Sequence, residues 1–110
     1  MSPSYAHIAD LAAQSEPPDR GILSRTIYDD EQVKAVVFGF DAGQELTEHT
    51  ASKPAILQII RGEATLTLGD DTIKAQAGTW VHMQSGQRHA VKATTPMVML
   101  LLLLKWQQRR

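Results

Sequence analysis

The sequence contains no cysteine among its 110 residues. This absence excludes disulfide bonds and thiolate chemistry, and it fits a reducing compartment. The chain also lacks a glycine-rich phosphate loop and a G-x-S-x-G nucleophile motif. Paired carboxylates occur only at positions 29–31 and 70–71, where turns are predicted and Asp is favoured for local reasons. Several common catalytic chemistries are therefore excluded.

Long apolar runs are missing as well. The most apolar stretch, Met97–Leu104, is far shorter than the roughly 20 residues that a membrane helix needs. Residues 1–4 carry neither the basic region nor the apolar region of a signal peptide. We therefore expect a cytoplasmic protein with no membrane partner.

Charge of one sign does not dominate the chain. It has 11 Lys and Arg against 12 Asp and Glu, for a formal net charge of −1. The basic cluster at the tail, formed by Lys105, Arg109 and Arg110, is interpreted as a solvated C-terminus. Because nucleic-acid-binding proteins usually carry a basic stripe, we expect no nucleic-acid partner.

What the sequence does contain is a series of short β-rich segments separated by glycine and proline. Strands are predicted at residues 22–28, 33–40, 55–61, 63–68, 72–75, 80–83, 89–93 and 97–104. Residues 5–14 are predicted to form a short helix or an edge segment, which Pro17 and Pro18 end. This spacing is typical of an all-β barrel or sandwich. The length suits one domain, spanning 1–110, with a core at about 33–104 and an N-terminal arm at 1–20.

The last predicted strand is apolar at every position from Met97 to Leu104. Both of its faces should therefore be covered. One face is expected to fill the barrel, and the other to meet a second sheet or a partner chain. A homodimer is accordingly expected. Trp80, on an earlier strand, is predicted to lie in the core.

Two histidine-containing patterns follow one another along the chain. The first is G-x5-H with a later glycine, and the second is G-x7-G-x2-H. The positions concerned are Gly43, His49 and Gly62 for the first, and Gly78, Gly86 and His89 for the second. Together they resemble the two motifs of the cupin family, G-x5-H-x-H-x3–4-E-x6-G and G-x5-P-x-G-x2-H-x3-N. The resemblance to small, single-domain, RmlC-like cupins implies an all-β jelly-roll barrel. It also implies that His49 and His89 point into the barrel from different strands.

Four positions depart from the family pattern: Ala51, Ala55, Gln84 and Ala93. The first two replace a histidine and a glutamate that serve as metal ligands in typical cupins. Of the three histidines and one carboxylate of a typical site, only His49 and His89 remain. Catalytic zinc usually has three protein ligands, and non-haem iron usually has two histidines and a carboxylate. A divalent metal is thus the cofactor that the resemblance implies, and no cofactor is the alternative.

Gln58 and His82 are the weaker candidates for a third metal ligand. Gln58 comes three residues after Ala55, so strand alternation places it on the opposite face unless a bulge intervenes. His82 lies on the strand leading into the second motif. For both, the alternative is a hydrogen-bonded polar residue with no role in a site. Glu48, next to His49, should point away from the barrel.

Three functional hypotheses follow. The first is a binding protein whose pocket, lined by His49 and His89, holds a small organic molecule, with or without a divalent metal. The second is a metal-dependent cupin enzyme of the oxygenase or isomerase type, using the same pocket. The third is a structural role in which the homodimer is the working unit.

Overall fold

A computed structural model of the protein describes residues 4–105. Within this range the chain forms nine strands and a single-turn 3-10 helix at Ala12–Gln14. The strands are β1 (Ile22–Asp29), β2 (Val33–Phe40), β3 (Glu45–Thr50), β4 (Ala55–Arg61), β5 (Glu63–Leu68), β6 (Asp71–Gln76), β7 (Trp80–Met83), β8 (Arg88–Ala93) and β9 (Met97–Leu104). No helix in residues 4–105 is long and apolar enough to cross a bilayer.

The strands form two antiparallel sheets that share one core. The larger sheet has the order β1-β2-β9-β4-β7 and the smaller one the order β3-β8-β5-β6. Their inner faces meet in a cluster that includes Leu57 and Met99 from the larger sheet and Leu66 and Val91 from the smaller sheet. This arrangement is a double-sheet jelly-roll barrel. The predicted all-β fold class is confirmed.

Strand alternation explains which side chains fill the barrel. In β4, Ala55, Leu57 and Ile59 are buried, whereas the intervening Ile56 and Gln58 are half-buried. Successive side chains of a strand point to opposite faces, so one set enters the core and the other lies on the outer surface of the sheet. The turn into β5 requires Gly62, whose φ is 86° and whose missing Cβ leaves room for the backbone at Pro96.

The apolar strand β9 occupies the centre of the larger sheet, between β2 and β4. Its inner face, comprising Met97, Met99, Leu101 and Leu103, packs into the core between the sheets. On its outer face, Val98 and Leu100 form a second buried cluster with Ala35 and Val37 of β2. Both faces of the central strand are therefore engaged in packing, and the outer face packs partly against the N-terminal arm.

The N-terminal arm crosses the outer face of the larger sheet. Leu11 packs against the second cluster, and the buried Ser15 hydroxyl donates a 2.7 Å hydrogen bond to the carbonyl oxygen of Leu23. The arm passes so close to Gly39 that a Cβ there would overlap the Ser15 carbonyl oxygen. The helix in this arm spans only Ala12–Gln14, a small part of the predicted 5–14 segment.

Two expectations need correction. The strand Glu45–Thr50 was absent from the sequence prediction, because its residues are polar and largely exposed and show no apolar alternation. Trp80 was expected in the core, but its side chain is 57% exposed. It lies on an edge strand, on the face opposite the buried Met83, so its size does not bring it inside.

Candidate functional site

A β-bulge turns His49 toward the inside of the barrel. In the pairing of β3 with β8, Leu46 lies opposite Val91 and His49 lies opposite His89. Three steps along β3 therefore match two steps along β8, and the register shifts between Leu46 and His49. Without this extra residue, regular alternation would place Leu46 and His49 on opposite faces. The bulge allows both to face inward, His49 at the mouth of the barrel.

The two motif histidines form a directly opposed cross-strand pair. Their ring centroids lie 4.1 Å apart with an angle of 59° between the ring planes. His89, on the inner strand β8, is only 5% exposed, whereas His49, on the edge strand β3, remains accessible to solvent. The pair therefore extends from the buried interior to the surface.

Backbone hydrogen bonds fix the tautomer of both imidazoles. Nδ1 of His49 lies 2.8 Å from the carbonyl oxygen of Thr47, and Nδ1 of His89 lies 2.9 Å from that of Gln87. A carbonyl oxygen can only accept, so each Nδ1 carries the proton and donates it. Nε2 of each ring is then left for a ligand, the arrangement that orients histidines in metal and binding sites.

The histidine pair lies in the wall of a pocket of about 530 Å³ at one end of the barrel. The residues that line it are Lys34, His49, Ala51, Ser52, Lys53, Ala55, His89, Leu101, Leu103 and Lys105. Leu101 and Leu103 belong to the inner face of β9, so the apolar floor of the pocket continues into the core. A concave, mainly apolar cavity with a few convergent polar groups is the usual form of a small-molecule site.

Three lysines surround this pocket, and no carboxylate is among its described lining residues. Lys34 and Lys53 form no ion pair with any carboxylate in residues 4–105. The sequence prediction missed both. The signal for Lys34 was present, because it continues the inward-facing series of Phe40 and Phe38 along β2. Lys53 belongs to the loop between β3 and β4, which has no such periodicity.

Lys105 was interpreted as part of a solvated tail, which is wrong. Its backbone nitrogen donates to the carbonyl oxygen of Gln32, and its ammonium binds the Asp29 carboxylate and the carbonyl oxygen of Asp30. These contacts hold it half-buried at the rim of the pocket. Arg109 and Arg110, the other members of that cluster, lie outside the described residues.

The β1–β2 turn that holds Lys105 is organised by Asp30. The Tyr28 hydroxyl donates a 2.7 Å hydrogen bond to its carboxylate, and the backbone nitrogens of Gln32 and Val33 donate to the other oxygen. The hydrogen bond from Tyr28, followed by those from Val33 and Gln32, lowers the pKa of Asp30 below its ordinary value. The same contact raises the pKa of Tyr28. The turn is therefore most stable with Asp30 ionised and Tyr28 neutral.

The carboxylate of Glu48, adjacent to His49, points away from the pocket and serves a structural contact. It accepts a 3.2 Å hydrogen bond from Arg88, whose guanidinium also lies 3.4 Å from Asp70. Hydrogen bonds to Asp70 and then to Glu48 raise the pKa of Arg88. These ion pairs link the β3 edge to the β5–β6 turn, on the outside of the sheet that carries the histidines.

Neither weaker candidate lies near the histidine pair. Gln58 lies opposite Trp80 and His82 lies opposite Ile56, so both belong to the outer face of the larger sheet. The bulge in β4 falls between Ile59 and Arg61, beyond Gln58, and so does not turn it inward.

The donor set does not fit the metal centre of a typical cupin. The positions of the missing ligands, Ala51 and Ala55, both line the pocket with methyl groups. Residues 4–105 contain no group of three or more His, Asp or Glu side chains that could hold a metal ion. The cationic groups around the pocket also oppose the entry of a divalent cation. Two imidazoles alone leave most of a metal's coordination positions without a protein ligand.

A jelly-roll barrel with a pair of inward-facing histidines at one end is the arrangement that the resemblance to cupins implies. The sequence profile of the cupin domain family matches residues 36–103, more than half of the chain. The protein therefore belongs to the cupin domain family, which confirms the resemblance drawn from the two motifs. No match was found among curated proteins.

Solved structures with the same fold include three that align over nearly the whole chain. A conserved protein of unknown function from Streptococcus pyogenes is 28% identical, with a TM-score of 0.83, covering 96% of this chain and 92% of its own. A cupin superfamily protein from Desulfitobacterium hafniense DCB-2 is 20% identical, with a TM-score of 0.80 and 93% of both chains covered. An RmlC-like cupin from Desulfovibrio desulfuricans is 25% identical, with a TM-score of 0.71 and 96% of both chains covered.

Proposed function

We propose that this cupin is a binding protein whose small organic ligand occupies the pocket beside His49 and His89. The observation that carries the proposal is the pocket itself. It has a volume of about 530 Å³, an apolar floor and two imidazoles whose Nδ1 atoms are already bound to backbone carbonyls. Such a site offers apolar area for affinity and a few fixed polar atoms for orientation.

The departures from the cupin motif support a role in binding. Ala51 and Ala55 stand where typical cupins have a histidine and a glutamate, and both line the pocket. Replacing two metal ligands by methyl groups removes polar atoms and leaves space at the same position. The cavity next to the histidine pair is thereby more apolar than a complete metal centre, which favours an organic ligand over an ion.

A ligand screen on histidine variants tests this proposal. We expect compounds that raise the melting temperature of the wild-type protein to lose that effect in His49→Ala, because ligands that bind only the native state stabilise it. His82→Ala is the matched control, since this histidine is exposed on the outer face of the larger sheet. Compounds that stabilise both variants and the wild type equally would contradict the proposed site.

The second candidate function is a metal-dependent enzyme that uses the same pocket. One observation favours it: the two rings lie 4.1 Å apart and both have Nε2 unengaged by the described protein groups. Elemental mass spectrometry of the purified protein tests it, with the double variant His49→Ala/His89→Ala as the comparison. About one metal ion per chain, lost in the double variant, would favour the enzyme. No metal after incubation with excess divalent ions would eliminate it.

A further inference from the structure

The lining of the pocket is positively charged, whereas the protein as a whole is not. The chain carries a formal net charge of −1, but three lysines and no carboxylate are among the described pocket-lining residues. Lys105 is compensated by Asp29, which leaves Lys34 and Lys53 without an ion pair in the described part of the chain. A concave site of one sign concentrates ligands of the opposite sign.

Lys34 is held at the inner surface of the barrel by the register of its strand. It lies opposite Leu103 of β9 and opposite Asp29 of β1, and it is half-buried. Half-buried lysines commonly lay their aliphatic part along apolar surface and keep the ammonium in water. A partly desolvated ammonium gains more from an anion than an exposed one does.

The apolar part of the pocket lies next to these cations. Leu101 and Leu103 form the floor, and Ala55, which is 1% exposed, adds a methyl group on the neighbouring strand. A ligand that satisfies both regions carries a negative charge at one end and an apolar body at the other. A divalent cation and a fully polar sugar each match only part of this surface.

We propose that the pocket binds an organic monocarboxylate with an apolar body, its carboxylate held by Lys34 and Lys53 and its body packed on Leu101 and Leu103. This inference rests on the proposed binding function and names its ligand class. The Nε2 atoms of His49 and His89 are available to a hydroxyl or second polar group of the ligand. The pocket thus selects ligands by charge first and by apolar contact second.

Three probes of the same length separate charge from apolarity: hexanoate, hexanol and hexylammonium, each titrated into the protein and followed by amide NMR shifts. Hexanoate is expected to shift signals of pocket residues such as Ala51 and Leu103, and to bind at least about tenfold more tightly than hexylammonium. Its affinity should fall as salt is raised, because the lysines are partly exposed.

Lysine variants test the assignment. Lys34→Gln and Lys53→Gln should each weaken hexanoate binding and leave hexanol binding unchanged, whereas the double variant Lys34→Glu/Lys53→Glu should bind hexylammonium better than hexanoate. Lys92→Gln, on the exposed side of β8, is the matched control and should behave as the wild type. Native NMR dispersion shows whether each variant is folded.

The outcomes distinguish this inference from the proposed function. If hexanol binds as tightly as hexanoate and the lysine variants have no effect, the anion inference is wrong while the pocket remains a binding site. If none of the probes shifts a pocket signal at millimolar concentration, the inference is also wrong. The His49→Ala ligand screen then decides separately whether the pocket binds any organic molecule.

Discussion

Gly39→Ala should release the N-terminal arm from the barrel. The φ angle of Gly39 is not among the positive ones in residues 4–105, so its backbone conformation suits an L-residue. A methyl group there would nevertheless overlap the Ser15 carbonyl oxygen and lie 2.8 Å from the carbonyl carbon of Glu16. These are backbone atoms, which a rotamer change cannot move, so the arm must shift away from β2.

The cost of this shift follows from the contacts that the arm makes. Leu11 is half-buried against the second cluster, and its exposure costs about 1–2 kcal/mol. Loss of the hydrogen bond from Ser15 to Leu23 costs about 1 kcal/mol more. The exposed pair between Glu16 and Arg61 adds little. We expect the free energy of unfolding to fall by about 2–3 kcal/mol.

Urea unfolding measures this change, and limited trypsin digestion locates it. Cleavage after Arg20, at the end of the arm, should become faster in Gly39→Ala before the barrel itself is digested. Ser15→Ala is the control that removes only the hydroxyl, with an expected loss of about 1 kcal/mol. Without the overlap, alanine in place of a strand glycine would stabilise by about 0.5–1 kcal/mol. Unchanged or increased stability would therefore refute the reasoning.

Three further predictions concern the pocket and the surface. Because the folded-state pKa of Asp30 lies below its unfolded value of about 3.9, its hydrogen bonds contribute stability at higher pH that is lost as the pH falls through the folded-state pKa. Tyr28→Phe removes the largest cause, so acid unfolding followed by circular dichroism should have its midpoint at higher pH than in the wild type; an unchanged midpoint would contradict this. Ala51→His/Ala55→Glu restores the two missing ligand positions, and elemental analysis should then find a divalent metal bound more tightly than in the wild type. Equal metal content in the two proteins would contradict the explanation that the two missing ligands alone weaken metal binding. We also propose that the protein is a homodimer, as the apolar strand Met97–Leu104 led us to expect, since Leu102 and Leu104 on the outer face of that strand remain half-buried. Light scattering should then give twice the chain mass at micromolar concentration, and a wild-type monomer would refute the proposal.

The regularity of the strands made most of the fold predictable. Alternating apolar positions and glycine or proline breaks depend only on neighbouring residues, so the sequence located β2, β4, β5, β7 and β9 at their observed bounds. It could not locate β3, whose residues lie on an exposed edge and are polar. Pairing with β8, which is distant in the chain, is what makes β3 a strand.

The sequence alone determined the family and the pair of histidines, because motif spacing records positions along the chain. Only the tertiary structure decided how the pocket is built. The bulge that turns His49 inward is defined by two strands together, and the distance between the two rings is a property of the sheet. The pocket lysines, Lys34, Lys53 and Lys105, come from a strand, a loop and the position after β9, which meet only after folding. Local patterns determine the face that a side chain takes in a regular strand, whereas a bulge and the charge of a cavity depend on contacts between distant segments.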